Sequence, residues 1–321
     1  MITRRQTLSL FAAAAALSVF PATARAQNTA KEFRIGWQKG GVFALAKNKG
    51  SIEKRLESRG IKVTWAEFTS GPPLLEALGA NALDFGSTGD VPPLFAQAAG
   101  GDLVYVAQAD GNDEGSAILV KQDSPIKTLE DLKGKKVAFK RGSSAHNFTV
   151  KALRKAGLTL DDVEALDLSP PDAAPAFANN QIDAWVIWDP YYAIAAQQPD
   201  TRVLTTTEGI VNSYSFFQAN GQFARENPDV VAEVIDELRK VGEDAQGDLD
   251  ATAAAISASN GVPVEITRLT LERKGANLGA IGPITDEALT YQQALADEFY
   301  GLKIIPRALS IKDIVWYAPS N

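Results

Sequence analysis

Phe33, Ile35 and Trp37 alternate with polar or small residues, the period of a half-buried strand. Gln38-Lys39-Gly40-Gly41 follows, then an apolar stretch from Val42 to Ala46 that predicts a helix. Ile61, Val63 and Trp65 mark a second strand. Ser70-Gly71-Pro72-Pro73 opens a helix whose apolar face is Leu74, Leu75 and Leu78. Leu83 and Phe85 end a third strand at a small-residue turn, Gly86-Ser87-Thr88-Gly89. Asp90, Pro92 and Pro93 then start a helix through Leu94 to Ala99, and a strand follows at 103–106. This β-α-β-α-β order predicts a mainly parallel sheet with helices on both faces, whose ligands bind at the carboxyl ends of the strands.

A polar, glycine-containing stretch from Gln108 to Ser116 leads into a strand at 117–120, read as the first crossing into a second lobe. Thr128-Leu129-Glu130-Asp131 is a capping-box pattern. Strands are expected at 135–139, 163–168 and 182–188, with helices after Lys140-Arg141-Gly142-Ser143-Ser144, after Ser169-Pro170-Pro171 and at Tyr191-Tyr192. Further strands are read at 203–204 and 214–218, the second at the return crossing. Beyond Asn227-Pro228 the pattern is helical, at 228–241, 251–259, 264–274 and 286–300. The expected organisation is a leader at 1–26, a first lobe from 27–116 and 220–321, and a second lobe from 117–219.

Two strand-to-helix junctions carry the candidate chemistry. Around 86–90 and 142–146, hydroxyls and first-turn N–H groups converge at a strand end, an arrangement suited to an anion. Gln38 and Gly40 stand at a third such end, and Trp188 and Tyr191 at a fourth, where an aromatic face suits an apolar ligand body. Ser144 and His146 lack the orienting acid and the G-x-S-x-G elbow of a catalytic pair, which favours His146 as a helix-start residue.

Composition narrows the classes. The 321 residues suit two lobes, and at 45% hydrophobic and 22% charged the chain is globular. With no cysteine there is no disulfide, thiolate metal site or cysteine nucleophile, and a single histidine disfavours histidine metal sites; no metal or cofactor is expected. Arg4-Arg5, the apolar run Leu8 to Val19 and Ala24-Arg25-Ala26 form a cleavable export signal, too short to span a membrane. The arginine pair also resembles a twin-arginine signal without its usual phenylalanine, leaving both export routes open. Cleavage would shift the net charge from −7 to −10, which argues against nucleic-acid or anionic-membrane partners. An anionic ligand would then be held by local dipoles.

The motifs GWQKG (36–40), GSTGDVPPLFAQAAGGDLVYV (86–106), SPIKTLEDLKGKKVAF (124–139), GSSAHN (142–147) and DAWVIWDPYY (183–192) resemble those of the aliphatic sulfonate-binding proteins of ABC importers. The resemblance implies an α/β, two-lobed periplasmic-binding-protein fold with the ligand between the lobes. It also implies a periplasmic monomer that delivers an alkanesulfonate to a permease and ATPase. Carried over, the contacts are Gln38, Thr88, Gly89, Ser116, Ser143 and Trp188. With the residues read above, the candidate site comprises Gln38, Gly40, Thr88, Gly89, Asp90, Ser116, Ser143, Ser144, His146, Trp188 and Tyr191. Binders of another small anion or of a thiamine precursor are alternatives. A sulfinate-processing enzyme on the same fold is disfavoured by the missing cysteine. The loop at 110–115 and the Lys140-Arg141 pair depart from the expected pattern.

Overall fold

The computed structural model describes residues 30–212 and 214–318; the expected leader at 1–26 lies outside them. In chain order the elements are β1 (Glu32–Trp37), α1 (Gly41–Lys49), α2 (Ser51–Glu57), β2 (Lys62–Glu67), α3 (Gly71–Gly79), β3 (Phe85–Gly89), α4 (Val91–Ala98) and β4 (Leu103–Asp110). The chain then forms β5 (Ser116–Lys121), β6 (Lys136–Phe139), α5 (Ser144–Lys155), β7 (Glu164–Asp167), α6 (Pro170–Ala178), β8 (Ala184–Trp188), α7 (Tyr191–Ala196) and β9 (Thr201–Thr206). It returns as β10 (Tyr214–Asn220), α8 (Gly221–Glu226), α9 (Pro228–Ala245), α10 (Leu249–Asn260), α11 (Val264–Leu271), β11 (Ile281–Gly282) and α12 (Asp286–Gly301).

The strands build two sheets, ordered β11-β4-β10-β3-β1-β2 and β7-β6-β8-β5-β9. Both are mixed. β1 to β4 run one way and β10 and β11 the other; in the second sheet only β5 is reversed. The reversed strands β5 and β10 are the first strand after each crossing, and each is inserted between strands of its own sheet. β10 pairs with β3 and β4, so the return crossing falls between Thr206 and Tyr214. This corrects the expected boundary at 219/220.

The first sheet is covered on one face by a core of Phe33, Phe43, Phe85, Phe217 and the apolar side of α9, and on the other by Leu74, Leu78, Tyr105 and Phe299. In the second sheet α5 seals one face through Phe148 and Leu153, and α6 seals the other through Phe177 against Trp185. Residues 86–89, expected as a turn, are the last four of the five residues of β3 and pair with β10. Their smallness serves packing: a Cβ on Gly86 would stand 2.7 Å from Leu74 Cδ2, so glycine lets α3 lie close on the sheet. The capping-box pattern at 128–131 forms a 3₁₀ turn in which Asp131 accepts the Lys127 and Thr128 amides at 2.8 and 2.9 Å.

Candidate functional site

The strand ends of both sheets open onto one cleft with a cavity of about 380 Å³, at the small end of the roughly 300–1,000 Å³ typical of ligand pockets. Eight of the eleven candidate residues line it: Gln38, Gly40, Thr88, Gly89, Ser116, Ser143, Ser144 and Trp188. From the first lobe come the β1–α1 turn, the end of β3 and the α3 N-terminus. From the second come the β6–α5 junction and the end of β8.

Gly40 and Gly41 carry positive φ values of 122° and 67°, which only glycine adopts freely, and the α1 start has no side-chain cap. Its first-turn amides are therefore open to a cleft anion. The α5 start is similar: Ser143 is its N-cap residue but makes no side-chain cap bond. Its hydroxyl instead donates to Lys140 O at 2.7 Å, and Thr88 Oγ1 donates to Gly89 O at 3.1 Å. Gln38 Nε2 donates to Ser87 O at 3.3 Å. Gly89 faces Ser144 across the cleft so closely that a Cβ there would overlap the Ser144 hydroxyl.

Lys39 is the one cationic side chain among the described lining residues, and its ammonium is bound to Asn260 O at 3.0 Å and lies 3.9 Å from Glu67. Lys140 is held by Asp167 at 2.9 Å, and the Arg141 amide donates to the same carboxylate at 2.9 Å. The extra positive charge before Gly142 thus serves the second lobe's surface. Among the described lining residues, amides and hydroxyls are therefore the main donors for an anion, with Lys39 already engaged at the rim by Asn260 and Glu67.

Three candidates lie outside the lining. Asp90 is 1% exposed. Its Oδ2 accepts from Asn147 Nδ2 and from Tyr291 OH, each at 2.7 Å, and its Oδ1 accepts the Val91 amide at 2.9 Å. Burial raises its pKa, against the pull of these bonds. Asp90 therefore ties α4 and α12 of the first lobe to α5 of the second. His146 is packed among Phe139, Phe299 and Phe95 at ring distances of 5.1, 5.3 and 6.3 Å, with Nδ1 accepting the Gly142 amide at 3.3 Å. Tyr191 is half-buried, and burial raises its pKa. Asp90 spends its acceptor oxygens inside the lobe contact and His146 is enclosed by phenylalanine rings, so neither side chain lines the cleft.

Sequence reasoning missed the wall contributed by the returning chain, Leu249, Ile256, Leu271 and Leu278. It also missed the pair across the mouth, in which Arg273 Nε donates to Asp189 Oδ2 at 2.8 Å. The glycines Gly275 and Gly279, four residues apart, were the available signal for a close-packed segment.

The family described as NMT1/THI5 like matches residues 45–250. An aliphatic sulfonates-binding protein of Escherichia coli is 38% identical over 306 residues, covering 95% of each chain. The alkanesulfonate-binding protein SsuA of Xanthomonas axonopodis pv. citri, solved bound to MOPS, superposes with a TM-score of 0.83 at 36% identity, covering 89% of this chain and 98% of that one. The E. coli periplasmic aliphatic sulphonate-binding protein SsuA gives a TM-score of 0.79 at 38% identity, covering 89% and 97%.

Proposed function

The chain belongs to the NMT1/THI5-like family, and we propose that it is a solute-binding protein that closes its two lobes on an aliphatic sulfonate for delivery to an ABC importer. The observation that carries this reading is a cleft without a free cation, floored by helix N-termini from both lobes and walled by apolar side chains. A sulfonate stays ionised at any ordinary pH and presents three acceptor oxygens. Amides of the first turns of α1 and α5 match that group, and the hydroxyls of Thr88 and Ser144 can turn to it from the Gly89 carbonyl and the Asp90 carboxylate. Trp188 covers the first carbons of the chain. The names of the relatives support this ligand class.

Residues 1–26 direct export, by general secretion or the twin-arginine route, and the mature protein works in the periplasm as a monomer. It engages a permease and ATPase complex and performs no chemistry on its ligand, since it has no cysteine for a sulfinate-cleaving nucleophile.

A thermal-shift panel of alkanesulfonates, matched carboxylates and a pyrimidine thiamine precursor tests the ligand class. A ligand that binds only the folded state at a hundred times its Kd stabilises by about 2.7 kcal/mol. The expected result is stabilisation by sulfonates, with the sulfonate recovered unaltered. A response to the pyrimidine alone, or release of sulfite, would replace this reading with one of its alternatives.

A further inference from the structure

Residues 272–280, between α11 and β11, form a strap across the side of the cleft. At one end Arg273 grips Asp189 of the second lobe through two bonds of 2.8 and 3.2 Å, and its guanidinium lies 3.9 Å from the centre of the Tyr192 ring. The Lys274 amide donates to Glu114 at the first crossing at 3.3 Å, and its ammonium pairs with Glu208 at the second. At the other end Gly279 presses on α9 at Gly242. A Cβ on Gly279 would stand 2.7 Å from Glu243 N, and one on Gly242 would run into the Leu278 carbonyl. The strap is thus fastened to both crossings, to the second lobe and to α9.

Between these fastenings sits Leu278, half-buried against the first lobe's core and lining the cleft with Phe43, Leu249 and Ile256. This apolar compartment belongs to the first lobe, whereas Trp188 stands on the second. We propose that the strap is the specificity-determining element for the ligand's carbon chain. On this assignment Leu278 holds the far carbons of longer alkanesulfonates, whose first carbons rest on Trp188. The proposal rests on the sulfonate reading and adds to it a preference for chain length, set by a segment whose position depends on lobe closure.

The test is calorimetry of ethane-, butane-, hexane- and octanesulfonate with the wild-type protein, Leu278→Ala and Leu278→Gln, the last keeping bulk while removing apolar surface. The wild type is expected to bind more tightly with each added carbon. Leu278→Ala should weaken octanesulfonate about tenfold and ethanesulfonate less than about twofold. Leu278→Gln should flatten the series further, because a chain entering the compartment would then bury an unpaired amide. Equal losses at every length, unchanged octanesulfonate binding, or a flat wild-type series would overturn the assignment while leaving the sulfonate reading intact. Failure of the wild type to bind any sulfonate would overturn both.

Discussion

At the scale of single residues, two positions carry sharp expectations. Gly89 lacks a side chain where β3 faces Ser144 of the second lobe, and its φ is not in the left-handed region, so alanine suits its backbone. Gly89→Ala should therefore fold normally but lose affinity by about a hundredfold or more, about 2.7 kcal/mol, because its methyl group would hold Ser144 away. Calorimetry of the variant checks this; unchanged affinity would mean that the lobes do not approach so closely around ligand. His146 gives a pH dependence. Burial, then the Arg141 cation, pushes its pKa down to about 4, against an upward pull from Asp167. Between about pH 6.5 and pH 4 the unfolded chain binds a proton that the folded chain refuses, so stability is lost as pH falls through that window. Relative to His146→Gln, the wild type should lose about 3 kcal/mol between pH 7 and pH 4, read from urea midpoints at each pH. Parallel curves would contradict it. The sequence allowed His146 to be read as a helix-start residue, but the three phenylalanines around it come from β6, α4 and α12, distances that no local pattern encodes.

At the scale of elements, most strands and helices were legible because their periodicities are strong. The proline-marked starts at Gly71, Val91, Pro170 and Pro228 were read within a residue or two. The exception at the site is instructive. Gly86 to Gly89 has the composition of a turn, yet it is strand, because β10 arrives from far along the chain to pair with it, while Gly86 lets α3 pack and Gly89 leaves room for Ser144. Asp90 likewise stands where an anion site would want a ligand contact, but Tyr291 and Asn147, distant in sequence, saturate it. The α9–strap crossing depends on small residues as well. Gly242→Ala should destabilise the fold by roughly 1–3 kcal/mol through overpacking against the Leu278 carbonyl. Urea denaturation measures this, and a cost below about 0.5 kcal/mol would mean that the strap yields.

At the scale of the whole molecule, two lobes and two crossings were legible from the shift in composition near residue 110 and the return to helices after 227. β4 and β5 belong to different sheets, so the chain crosses first between Asp110 and Ser116, and it crosses again before β10, which looks like any strand until its partners are known. The lobes meet through Asn147 and Asp90, through Lys151 with Glu298, and through Arg273 and Asp189. These contacts, together with the crossings, suit a hinge that shuts on a ligand. The central claim is that the cleft is built for three acceptor oxygens held by amides and hydroxyls. Titration calorimetry of the mature protein with hexanesulfonate and with the carboxylate of equal chain length tests it most directly. The sulfonate should bind saturably and one-to-one, and the carboxylate, which leaves one donor unpaired, at least about tenfold more weakly. Equal affinity for the two, or no binding of the sulfonate, would contradict it.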